Sequence, residues 1–158
     1  MQTFREDLAD HAMAVLVLLG NSLNIDLSLD DDGTCFFEHD DGWRMAIMLA
    51  GEDQIVAAIS VLSNIQTPPP DRLAALLTEF NWLGGLTNGH PLSWNPNSRS
   101  FVLWRSLDAE TVTAGELNET MLRLVGAATR LQPTLRAYLD TPMDADETDA
   151  PPSLHQRV

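Results

Sequence analysis

RLAALLTEFNWLGGLTNGHPLSWNPNSRSFVLWRSL, residues Arg72–Leu107, reads as a helix, a glycine break and a β-hairpin. Leu73, Leu76, Leu77, Phe80 and Leu83 or Gly84 recur at the 3/4 spacing of a buried helical stripe. Gly84, Gly85 and Gly89 end the helix, because glycine reaches left-handed backbone angles without a Cβ clash. Trp82 and Leu86 lie off the stripe. A helix apolar beyond one face needs a second covering surface, and a partner chain is one way to supply it. The hairpin takes Leu92 to Trp94, turns at Asn95-Pro96-Asn97-Ser98 and returns from Ser100 to Leu107. Proline second in the turn fits type I geometry.

Upstream, Thr67-Pro68-Pro69-Pro70 is a stiff connector, and Asp71 is placed to cap the helix. Before it lies an antiparallel meander. Thr34–His39 is its first strand, Asp40-Asp41-Gly42 a tight turn, Trp43–Ala50 the second strand, and Gln54–Leu62 the third. Trp43, Met45, Ile47 and Leu49 point one way in strand two, and Ile55, Ile59 and Val61 form the larger set in strand three. The opposite faces, with Met48, Val56, Ala58 and Leu62, are small and apolar rather than charged. Half-exposed antiparallel sheets usually carry charge on the open face, so this one either meets more of the same chain or waits for a ligand.

The chain begins with a helix over residues 3 to about 21, with Phe4, Leu8, Val15, Leu19 and Ala12 or Leu16 on one face and Gly20-Asn21 as its stop. Its second half is apolar nearly all round. Downstream of the hairpin, Thr113-Ala114-Gly115-Glu116 has capping-box spacing. A long helix follows to about Leu139, with the stripe Leu117, Met121, Leu124, Val125, Ala128, Leu131, Leu135 and Tyr138. Pro133 inside it removes a backbone hydrogen bond and is expected to kink or split the helix. The reading is one α+β domain over residues 1–139, α-β-β-β-α-β-β-α, with a twisted antiparallel sheet against helices. Residues 140–158, acidic and proline-containing, read as a disordered tail.

The 158 residues carry a net charge of −14, and all nine basic residues are arginine. Such a surface repels nucleic acid and anionic membranes and favours basic or amphipathic protein partners. The lone Cys35 forms no internal disulfide, which fits a reducing cytoplasm. The start is acidic, unlike a secretory signal, and the run Ala12–Leu19 is too short to span a bilayer.

Catalytic and metal signatures are missing. The acidic turn Ser28–His39 lacks the first-position carboxylate and twelfth-position glutamate of a calcium loop. No Lys-Ser/Thr follows the glycines, no GxSxG surrounds a serine, and His11, His39, His90 and His155 have no zinc spacing. No enzyme, cofactor or metal is expected.

The element order, with VLLGNSLNIDLSL, TCFFEHDDG leading into WRMAIMLA, LLTEFNWLGG, LSWNPNSRSFVLWRSL and ELNETMLRLVGAATRL, resembles the class I type III secretion chaperones, the Tir-chaperone (CesT-like) family. The resemblance spans about residues 3 to 139; Pro133 and the acidic tail depart from it. It implies a homodimer in the bacterial cytoplasm that holds the N-terminal secretion segment of an effector extended and export-competent. Phe36, Met48, Val56, Ala58 and Leu62 are the expected cargo contacts. Leu76, Phe80, Trp82, Leu83 and Trp94 are the expected dimer contacts. The pattern leaves open which stripe of the second helix meets its own sheet and which meets a partner. The competing reading is a small α+β regulatory or adaptor domain that binds a folded protein.

Overall fold

The computed structural model describes the backbone of residues 2–142, and the side chains of residues 6–142 apart from Leu8 and Leu83. The side chains of Phe4 and Leu8 of the first stripe and of Leu83, and tail residues 143–158, therefore lie outside the described residues. The elements are α1 (Gln2–Leu23), β1 (Thr34–Glu38), β2 (Arg44–Ala50), β3 (Gln54–Leu62), α2 (Pro70–Leu83), β4 (Leu92–Asn95), β5 (Ser100–Asp108) and α3 (Ala114–Asp140). The expected order holds throughout.

The strands form one antiparallel sheet in the order β1-β2-β3-β5-β4, so the meander and the hairpin join through the β3–β5 pair. The two ends of the sheet are β1 and β4. Alternation sends Cys35, Met45, Ile47, Ile55, Ala57, Ile59, Phe101 and Leu103 to one face, where all are buried. The α3 stripe of Leu117, Met121, Leu124, Ala128, Leu131 and Leu135 covers that face along β3 and β5. α1 packs on α3 with Ala12, Val15, Leu16 and Leu19, and α2 packs beside β4. No helix among the described residues is long and apolar enough to cross a membrane.

The helix ends show which local signals prevail. Thr113 and Glu116 form the expected capping box on α3. Gly84 takes a left-handed conformation (φ 58°) and its N–H donates to Phe80 O, closing α2. Asp71 does not cap α2. Pro69 holds the cap position without a side-chain bond, and Pro70 opens the helix, its missing N–H costing nothing there. Gly20 does not stop α1, which runs on to Leu23. A Cβ at Gly20 would come within 2.6 Å of Ile25 O, so the glycine admits the chain returning over the helix.

Pro133 does not split α3. The helix is continuous to Asp140, with Leu131 and Leu135 fully buried on either side of the exposed proline. Burial of two leucines, each about 1.5–3 kcal/mol, offsets a proline penalty of about 3 kcal/mol. The Gln132 amide, donating to Val61 O at 2.9 Å, ties this turn to β3. The Arg72 guanidinium, donating to the carbonyls of Tyr138, Leu139 and Thr141, secures the last turn from α2.

Candidate functional site

The second face of the sheet is open. Register places Phe36 opposite Ala46, Ala46 opposite Ala58, and Ala58 opposite Trp104. With strands about 4.8 Å apart, the two aromatic residues stand roughly 14 Å apart across an alanine floor. The next row is Thr34, Met48, Val56 and Ser106. Together they make a shallow channel along the strands, aromatic at both sides and small in the middle. Phe36 is 76% exposed, whereas Trp104 is anchored by its indole N–H donating to Ser93 Oγ at 2.9 Å.

The edges of the sheet complete the site. In an antiparallel edge strand, alternate residues turn their N–H and C=O outward. On β1, Gly33 O and His39 N bond to β2, so Thr34, Phe36 and Glu38 face out. Asp30 takes both outward groups of Thr34, through Asp30 N–H to Thr34 O at 2.8 Å and Thr34 N–H to Asp30 Oδ1 at 2.8 Å. Those of Phe36 and Glu38 have no partner among the described residues. The acidic turn is thus a built feature whose first carboxylate organises backbone. At the other edge, the Asn81 side chain receives Leu92 N–H at 2.7 Å and donates to Leu92 O at 2.9 Å, acting as a short surrogate strand.

Four of the five expected cargo residues lie where the alternation puts them. Phe36, Met48, Val56 and Ala58 share the open face, with Ala58 sunk into its floor at 5% exposure. Leu62 does not join them. The register shifts between Ser60 and Leu62, so Leu62 pairs with Phe101 and turns into the core, also at 5% exposure. Arithmetic alternation cannot see a bulge. Trp104 is the site residue the sequence reading passed over; its even-numbered place in β5, like Val102 and Ser106, was the available signal.

The expected dimer residues divide. Leu76 is fully buried, and Phe80 meets Tyr138 edge-on with ring centres 5.9 Å apart. Trp94 is half-buried against Phe101, ring centres 4.9 Å apart. Leu76 and Phe80 serve the chain's own core, because the 3/4 stripe with Leu73 and Leu77 faces inward, while Trp94 packs against that core from β4 and stays partly exposed. Trp82, 86% exposed, is left pointing outward from α2. Val17 and Leu18 on α1 are 50% and 60% exposed, which accounts for that helix being apolar beyond one face.

Burial pushes the Cys35 thiol pKa up, with Asp30 adding to the effect against a lowering backbone bond from Ser28; its thiolate is therefore disfavoured. His90 is buried, and neither ring nitrogen has a partner among the described residues. Desolvation, then the charges of Arg105 and Arg123, lower its pKa.

No curated protein matches the chain. Among solved structures, the ExsC–ExsE complex aligns with a TM-score of 0.67 at 17% identity, covering 80% of this chain and 95% of that one. The HopA1–SchA chaperone–effector complex aligns at 0.59 and 18%, covering 78% and 94%. The Yersinia pestis type III secretion chaperone SycH, in complex with a fragment of YscM2, aligns at 0.56 and 16%, covering 76% and 98%. At such identities these likenesses establish the fold. Residues 15–132 match the family model of the Tir chaperone protein (CesT) family. That match runs from α1 into α3 and takes in the whole sheet and its open face: the chain belongs to the Tir chaperone protein (CesT) family.

Proposed function

We propose that this type III secretion chaperone, working as a homodimer in the bacterial cytoplasm, holds the N-terminal secretion segment of an effector extended along the open face and the β1 edge. The observation that carries the reading is the alanine-floored channel between Phe36 and Trp104, bordered by a strand edge with unpaired backbone groups. Strand addition gives backbone hydrogen bonds to any sequence, and alternate side chains of the guest drop into the channel. Ordering a flexible segment costs several kcal/mol, which apolar contact with Phe36, Met48, Val56 and the exposed side of α1 offsets. The role is non-catalytic: the guest is held without bond-making and without added structure. Trp82 is the anchor of the dimer contact in this reading, since tryptophan dominates protein interfaces when it becomes buried there.

The test is capture. The tagged chain is purified from native cytosol and its companions are trimmed by limited proteolysis. A short protease-protected N-terminal segment, with the rest of the companion cleavable or independently folded, is the expected result. A companion held through a folded domain would give the adaptor reading instead.

A further inference from the structure

A second concavity lies at the end of the sheet where β2 begins and β3 ends. It is a cleft of about 620 Å³ whose lining includes Trp43, Arg44, Arg72, Gln132, Arg136 and Asp140. Three of the nine basic residues of a chain with net charge −14 converge there. No carboxylate among the described residues lies within 4.0 Å of their guanidinium nitrogens. Arg72 spends hydrogen bonds on the α3 carbonyls and stacks on Tyr138 at 5.6 Å; Arg44 and Arg136 are exposed. Arginines without a carboxylate partner in a concave wall, here Arg44 and Arg136 with Arg72 held behind them by the α3 carbonyls, suit carboxylates, which they hold by charge-assisted and often bidentate hydrogen bonds.

Leu139 and Asp140 form part of the wall of this cleft, and the described chain runs on two residues to Pro142. The sequence continues Met143-Asp144-Ala145-Asp146-Glu147-Thr148-Asp149. An extended chain covers about 3.3–3.6 Å per residue, so the first of these four carboxylates is roughly 14 Å from Asp140. Tethering at that range gives an effective concentration of the order of millimolar, so weak individual contacts suffice. We propose that residues 144–149 dock in cis on the Arg44–Arg72–Arg136 cleft. The occupant follows from charge complementarity and from where the described chain stops. Arg44 and Ser60 also stand at this end of the open face. On the function proposed above, an arriving effector segment and the tail contend for this end of the sheet.

The test needs no effector, so its outcome is independent of the capture experiment. A nitroxide is attached to Thr148→Cys in the full chain; Cys35 is buried and its thiol pKa raised, so labelling falls on residue 148. The probe is line broadening of the Arg44 and Arg136 amides and the Trp43 indole. At about 20 mM salt the expected result is at least a roughly twofold loss of intensity, recovered at about 500 mM, where the screening length falls to a few ångströms. Asp144→Asn, Asp146→Asn, Glu147→Gln and Asp149→Asn together should recover it at low salt too. A sample mixing spin-labelled unlabelled-isotope chain with isotope-labelled chain lacking the nitroxide should show no broadening. Unchanged intensities, broadening that survives neutralisation, or broadening of comparable size in the mixed sample would each overturn docking in cis. If the tail makes no contact but added polyglutamate shifts the same signals, the cleft belongs to a separate acidic partner and the proposal also fails.

Discussion

At the β4 edge the Asn81 amide occupies both outward backbone groups of Leu92, with α2 alongside, whereas at the β1 edge Phe36 and Glu38 turn theirs outward. An open edge is ordinarily a hazard that proteins cover or blunt. At β4 a side chain of the neighbouring helix covers Leu92 while the outward groups of Trp94 have no partner among the described residues; at β1 Asp30 covers Thr34, and the open stretch carries a 76% exposed phenylalanine beside an apolar channel. On the function proposed above the two ends take separate tasks: α2 and β4 toward a second copy, β1 toward the guest.

The comparison can be broken from the α2 side first. Trp82→Asp should leave a folded monomer, because the side chain makes little contact within its own chain and a carboxylate has no place in an apolar interface. A tryptophan anchor is worth about 2 kcal/mol or more, so a weakening of about 30-fold or beyond is expected in sedimentation equilibrium. A soluble dimer of unchanged affinity would remove α2 from the interface. Next, Asn81→Leu strips the cover from β4. The orphaned Leu92 N–H and C=O should cost about 1–3 kcal/mol of stability in urea denaturation. The exposed edge should also promote self-association.

On the β1 side, Ala46→Phe raises the channel floor between Phe36 and Trp104. Effector capture should weaken by about tenfold, or ~1.4 kcal/mol, in titration calorimetry, with the dimer intact. Unchanged capture would move the guest off this face. The smallest effect concerns His90, near the start of β4. Its folded pKa lies below the ordinary 6.5, chiefly through burial, so the unfolded chain takes up the proton first as the pH falls. Stability is complete above about 6.5 and declines as the pH drops through the folded value. His90→Phe should flatten that slope between pH 7.5 and 5 in denaturation midpoints while leaving capture unaltered.

How far the sequence carries this contrast differs by element. β3 was legible to its ends because Gln54–Leu62 is short, β-rich and bounded by turns. The capping box and the Asn95–Ser98 turn were equally plain, the latter organised by Asn95 Oδ1 receiving the N–H groups of Asn97 and Ser98. These signals are local. What escaped is set by distant contact. The pairing of β3 with β5, the bulge that turns Leu62 inward, and the returning chain over Gly20 all depend on residues far along the sequence or on small register shifts. The apolar α2 stripe announced burial without saying against what, so Leu76 and Phe80 read as interface when they are buried within their own chain. Asn81, one polar residue among apolar neighbours, gave no sign that it would meet Leu92.

The central claim is that the guest adds to β1. Amide hydrogen exchange, resolved residue by residue on the chain alone and with the proteolytically trimmed effector segment, tests it most directly. The account predicts new protection at Phe36 and Glu38, whose N–H groups face outward, with little change at Leu92. Protection appearing along β4 instead, or none at Phe36 and Glu38 in a saturated complex, would contradict it.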